Sequence, residues 1–178
     1  TLRGQPALLE GIRAMFGESL TPAQVVERIV GDVHQRGDAA VIDYTRRTSG
    51  VTLASLEVPR KTVDAAVGTV EAPLVNALTL AAERIRAFHR ATAIAMGTHW
   101  VTEELGRKVT PLQRVGLYIP GGRYAYPSSV LMSAIPARVA GVSEVIVATP
   151  PSSDGSVSPL TLAACSIAGV DRVFAMGG

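Results

Sequence analysis

The residues best suited to chemistry stand in the stretch RVGLYIPGGRYAYPSSVLMSAIPARVAGVSEVIVATPP, Arg114 to Pro151. Tyr118, Gly121 and Gly122 close an apolar run, and Ser128 and Ser129 open the periodic segment that follows. At the end of a strand such residues suit a ligand with a flat ring or a phosphate. Glycines let the backbone take positive φ and approach a ligand closely. A tyrosine offers a ring face and a hydroxyl, and a helix N-terminus presents free N–H groups to an anion. The turn is PGG, however, and not the G-x-G-x-x-G of a dinucleotide fingerprint. A plain tight turn, a core tyrosine and two capping serines fit the same local pattern equally well.

The other reactive side chains are dispersed. His34, His89 and His99 match no metal-ligand spacing, and a zinc site needs several convergent ligands. Glu103 and Glu104 sit beside a turn, Asp38 reads as a helix cap, and Asp154 lies in a polar loop. None of them shows the setting that tunes a general acid or base. Cys165 falls in the apolar segment LAACSIAG and reads as a buried, inert thiol. As the single cysteine it excludes an internal disulfide framework. Arg84, Arg86 and Arg90 read as a solvated helix face. No catalytic residue and no metal ligand is assigned within this chain.

Positioning the PGG turn requires a frame. TPAQVVERIVGDVHQRGD predicts a helix capped by Thr21, with Pro22 at its first position and Gln24 completing a capping box. Val25, Val26, Ile29 and Val33 share one face, and Gly37 stops the helix. Asp38 is placed to cap a second helix ending by Gly50, which makes an αα-hairpin. A short helix is expected from Lys61 to about Val70. A longer one opens at Pro73, with Leu74, Leu78, Ala81, Ile85 and Phe88 on its apolar face. Alternation then takes over, with Gly106 as the hairpin turn between Trp100–Leu105 and Arg107–Thr110.

Beyond Arg114 the pattern is β, α, β, α, β: strands at Val115–Ile119, Glu144–Thr149 and Arg172–Ala175, with helices at Ser128–Ala140, kinked or broken near Pro136, and Pro159–Ala168 after Ser158. Val- and Ile-rich strands joined by helices argue for a parallel sheet covered on both faces. The fold class is therefore α/β, a helical N-terminal region followed by the first part of a Rossmann-like parallel sheet. The expected division is 1–98, mainly helical; 99–113, a connecting β-hairpin; and 114–178, a partial Rossmann-like domain.

Composition narrows the function. With 178 residues, 47% of them hydrophobic, the chain can bury a core. The formal charge of +2, from 17 basic and 15 acidic residues, is scattered, which argues against nucleic acid. No apolar run suggests a membrane segment, so the expected setting is the cytoplasm. The chain begins at Thr1 and closes on RVFAMGG, a strand and a glycine turn, and so reads as a fragment. With no following helix, Val173 and Phe174 are expected to be exposed.

RVGLYIPGG followed by YPSSVLMSAIPARVAGVSEVIVATPP resembles the histidinol dehydrogenase family, as do RGDAAVIDYT, IRAFHR and the closing GVDRVFAMGG. The resemblance covers essentially the whole chain. It implies an NAD-dependent, zinc-containing homodimer that oxidises L-histidinol through L-histidinaldehyde to L-histidine. It also implies that Tyr118 contacts NAD, with Gly121 and Gly122 in the cofactor-binding turn. Further NAD contacts, the Glu-His acid–base pair and the zinc ligands are implied to follow Gly178, and none of His34, His89 or His99 matches a ligand position. Two other readings remain: a related dehydrogenase for another amino or sulfo alcohol, and a non-catalytic binding or assembly module.

Overall fold

The structure, a computed structural model, describes residues 6–97, 99–121 and 124–177. Three helices come first, α1 (Pro6–Phe16), α2 (Pro22–Arg36) and α3 (Asp38–Ser49). A short strand β1 (Glu57–Val58), helix α4 (Arg60–Ala65), a 3-10 turn (Ala66–Thr69) and the long helix α5 (Ala72–Met96) follow. A hairpin of β2 (His99–Val101) and β3 (Gly106–Lys108) leads into β4 (Arg114–Tyr118), α6 (Pro127–Val139), β5 (Glu144–Thr149), α7 (Pro159–Ala168) and β6 (Arg172–Ala175). Among the described residues no single helix is long and apolar enough to cross a membrane.

The capping box forms as the sequence predicts. The Thr21 hydroxyl accepts from the Gln24 amide at 3.3 Å, and Gln24 Oε1 accepts from the Thr21 amide at 2.9 Å. Gly37 stops α2 with a φ of 58°. It also occupies the N-cap of α3, so Asp38 does not cap that helix. Asp38 instead stands in the first turn, where its negative charge opposes the positive end of the helix dipole. The apolar face of α2 is only partly covered: Val26 is 61% exposed, and no residue of the helix is fully buried. Helix α1 has no counterpart in the sequence reading; Ile12 is buried, and Phe16 at the end of the helix packs its ring against that of Tyr44.

The sheet has the order β1-β6-β5-β4, with β4, β5 and β6 parallel and β1 antiparallel to β6. Because β4, β5 and β6 follow one another without reversal, crossovers of one hand place α6 and α7 on the same face. Val115, Val145, Val147, Val173 and Ala175 turn to that face and join the core with Leu131, Ile135, Leu162 and Ala164. The opposite face is only partly covered, which corrects the expectation of a sheet covered on both faces. A reversal of strand order would be needed to send a crossover helix there.

One further expectation changes at β1. A two-residue strand carries too little pattern to be read from sequence, yet its pairing gives β6 a neighbour on its free side. Val173 is accordingly buried at 1% exposure, and Phe174 is half-buried, with the Arg172 guanidinium 4.9 Å from its ring centre. The expected exposed edge at Val173 and Phe174 is absent.

Helices α4 and α5 and the 3-10 turn pack on α6 and α7, so that Val63, Ala66, Leu78 and Ala82 enter the core of the sheet. At 25 residues α5 is about 37 Å long against about 20 Å for α6. Its C-terminal turns therefore overhang, and Phe88, expected on the apolar face, is 67% exposed; Leu74, near the N-terminus, is exposed as well. Helix α6 runs through Pro136 without the break that was one of the two expected outcomes there. The hairpin turn lies at 102–105, closed by the Thr102 hydroxyl and the Leu105 backbone, and Gly106 pairs with Val101 within the ladder. A side chain at Gly106 would meet the Trp100 carbonyl oxygen at 3.2 Å, which accounts for the glycine.

A charge ladder crosses the four strands: Arg114 pairs with Glu144, Glu144 with Arg172, and Arg172 with Glu57. The last pair is two-pronged, at 2.9 and 2.7 Å. Hydrogen bonds from Arg172, and its charge, hold the Glu57 carboxyl below the ordinary glutamate range. A carboxyl lowered on folding stabilises the fold above its unfolded pKa, and that contribution disappears as pH falls through the folded value. The protection of the Ala175 amide, which bonds to the Leu56 carbonyl beside this pair, is expected to fall below the ordinary glutamate range. Glu57→Gln is expected to flatten that fall in a hydrogen-exchange series. An identical pH response in the two proteins would remove the assignment.

Candidate functional site

The parallel strands end together at Tyr118, Thr149 and Ala175, and their last hydrogen bonds bring the following residues into one edge. Ile119 donates to the Ala148 carbonyl at 2.8 Å, and Met176 donates to that of Thr149 at 2.9 Å. This is where ligands gather on open α/β sheets. Tyr118 is 57% exposed on the less covered face, which sets aside the reading of it as a core residue. It borders an open, mainly apolar groove of about 430 Å³, shared with Val41, Leu56, Gly116, Ile146 and Phe174.

The two glycines of the PGG turn fare differently. Gly121 does not have positive φ, contrary to expectation. A Cβ there would stand 3.0 Å from Thr149 Oγ1 and 3.1 Å from Pro150 Cδ, so the glycine serves a close approach between the β4 turn and the end of β5. Gly122 lies outside the described residues. Ser128 and Ser129 fall in the first turn of α6, but its N-cap position is Tyr126, with no side-chain cap. Neither serine fills the capping role.

The closing glycine turn was read from the sequence, but its link to Tyr118 was not. Gly177 follows β6 with a φ of 94°, and a Cβ there would lie 3.1 Å from Tyr118 Cε2 and 3.4 Å from its hydroxyl. The tyrosine ring rests against the bare α-carbon. The Gly177 amide donates to Thr45 Oγ1 at 3.2 Å, and Thr45 is 1% exposed. A glycine pair after a strand was a signal for Gly177. Nothing local marks Thr45, which lies 132 residues away.

The remaining candidates stay apart. Among the described residues no three His, Cys, Asp or Glu side chains come together as a metal site. His34 and His99 are exposed, and His89 meets the Phe88 ring edge-on. Asp154 accepts from the amide and hydroxyl of Ser156, and those bonds lower its pKa. Burial pushes the Cys165 thiol up to about 12, as suits an inert packing residue. The arrangement can hold a flat ligand at the strand ends.

Comparison with known proteins completes the picture. The family model described as histidinol dehydrogenase matches residues 17–178. A histidinol dehydrogenase of Methanosarcina mazei is 51% identical over 86% of this chain and 36% of its own length. One from Cupriavidus pinatubonensis is 49% identical over 97% of this chain and 40% of its own length. The crystal structure of histidinol dehydrogenase from Elizabethkingia anophelis superposes with a TM-score of 0.81 at 27% identity, covering 97% of this chain and 41% of that one. The chain thus spans well under half the length of the relatives it matches. With the model matched from residue 17 to residue 178 and about half of the positions identical to relatives, the chain belongs to the histidinol dehydrogenase family.

Proposed function

We propose that this chain supplies the cofactor side of an NAD-dependent dehydrogenase that oxidises L-histidinol through L-histidinaldehyde to L-histidine. The observation that carries the proposal is Tyr118, an exposed ring at the carboxyl edge of a parallel sheet, in a chain whose relatives are named histidinol dehydrogenases. NAD, when bound, supplies the hydride acceptor. Tyr118 lays its ring and hydroxyl against the dinucleotide, and Gly121 keeps the turn after β4 close to the end of β5 so that the edge stays open. Gly122 is assigned to the same turn.

Zinc belongs to the proposal at the level of the family, but the described residues do not fit it, since no cluster of metal-ligating side chains forms among them. No acid or base is assigned to this chain, and residues 1–178 alone are proposed to be inactive. The working enzyme is proposed to be a cytoplasmic homodimer of histidine biosynthesis.

The test is a substrate panel on the protein encoded by the complete reading frame that carries this chain. NADH formation with L-histidinol, abolished by a zinc chelator and restored by zinc, is expected. Turnover of another amino alcohol or of a sulfo alcohol in its place would transfer the chain to a relative with different specificity. A protein inert to every alcohol would favour a binding or assembly module.

A further inference from the structure

We propose that Thr45 and Gly177 are positioning residues for Tyr118, so that helix α3 sets how the tyrosine ring meets NAD; this rests on the reading of Tyr118 as an NAD contact. The geometry begins with the ring. Its Cε2 and hydroxyl lie 3.1 and 3.4 Å from where a Gly177 side chain would start, so the α-carbon is the floor on which the ring lies. Gly177 has a φ of 94°, open to glycine and strained for other residues. The floor therefore depends on how this one turn is held.

Two hydrogen bonds hold it. Met176 donates to the Thr149 carbonyl at 2.9 Å, which extends the β6 ladder by one residue. Gly177 donates to Thr45 Oγ1 at 3.2 Å, which fixes the turn itself. Thr45 stands within α3 at 1% exposure, where valine would fill the same volume without a hydroxyl to desolvate. A buried hydroxyl is unfavourable unless bonded, so its use at this position points to the bond it makes. The same helix brings Val41 to the groove beside Tyr118. The N-terminal helices thereby reach the cofactor edge directly.

Thr45→Val tests the link in the complete protein, with calorimetric titration of NAD beside initial rates. Its Kd and KM for NAD are expected to rise about tenfold, with kcat within about twofold of wild type. Thr45→Ser, which keeps the hydroxyl, is expected to restore most of the affinity. Gly177→Ala is expected to weaken NAD in the same sense. Added to Tyr118→Ala, Thr45→Val is expected to cost nothing further, because its effect passes through the ring. Unchanged NAD affinity in Thr45→Val would overturn the proposal, as would equal losses in Val and Ser or additivity with Tyr118→Ala. A wild-type protein that binds no NAD would instead bring down the functional reading on which it rests.

Discussion

Arg138→Ala is expected to lower the unfolding free energy by about 2–3 kcal/mol, although the side chain lies on the surface and its bonds go mainly to backbone carbonyls. Arg138 stands in the last turn of α6 and serves three backbone carbonyls. Its Nε and Nη2 donate to Gly169 at 2.9 and 2.7 Å, and its Nη1 donates to Val142 and Ser143 at 3.0 and 2.9 Å. It also pairs with Asp171, whose carboxylate accepts from the Val145 amide at 2.7 Å. One guanidinium therefore joins the end of α6, the end of α7 and the start of β5. The planar, forked donor set suits this, and a lysine would recover part of the effect. Partial exposure of both charged side chains limits the loss, because water replaces some of the bonds. Denaturant unfolding of the wild type, Arg138→Ala and Arg138→Lys measures the effect. A loss below about 0.5 kcal/mol for alanine, the range of ordinary surface changes, would contradict it.

Tyr118→Ala is expected to weaken NAD binding by about tenfold to a hundredfold while leaving thermal unfolding nearly unchanged. The separation follows from position. The ring is more than half exposed and closes no core, so its removal leaves no buried cavity. A flat ligand lying on it would lose the contact outright. Tyr118→Phe keeps the ring and is expected to remain within about threefold of wild type. Titration of each variant with NAD decides the matter. An alanine variant with unaltered affinity would remove Tyr118 from the site.

The elements that frame Tyr118 were legible because each carried its own local signal. Thr21, Pro22 and Gln24 announce α2 within four residues, and the runs at Arg114, Glu144 and Arg172 declare strands by their apolar, Val- and Ile-rich composition. Where the deciding partner lies elsewhere in the chain, the pattern is silent. Val173 looked exposed because β1, which covers the flank of β6, is only two residues long. Phe88 had the right spacing for the core, yet nothing in its neighbourhood tells that α5 outruns the helices it packs on. Gly106 and Asp38 are of the residue types expected for a turn and a cap. Pairing with Val101 and the fit of Gly37 into the cap decided their places instead.

The site divides in the same way. Tyr118 and the PGG turn could be named as candidates because a strand, a turn and a helix follow one another in sequence. At Gly121 the close neighbours are Thr149, at the end of the adjoining strand, and Pro150 just beyond it, and no local pattern shows that approach. Thr45 and Gly177 meet only once the sheet is assembled, and their separation of 132 residues hides the contact from any local reading.

The most direct measurement is to titrate the protein from the complete reading frame with limiting L-histidinol in excess NAD and to count NADH formed against L-histidine recovered. The account predicts two NADH for each histidinol consumed, with L-histidine as the product. No NADH, or NADH without histidine, would contradict it.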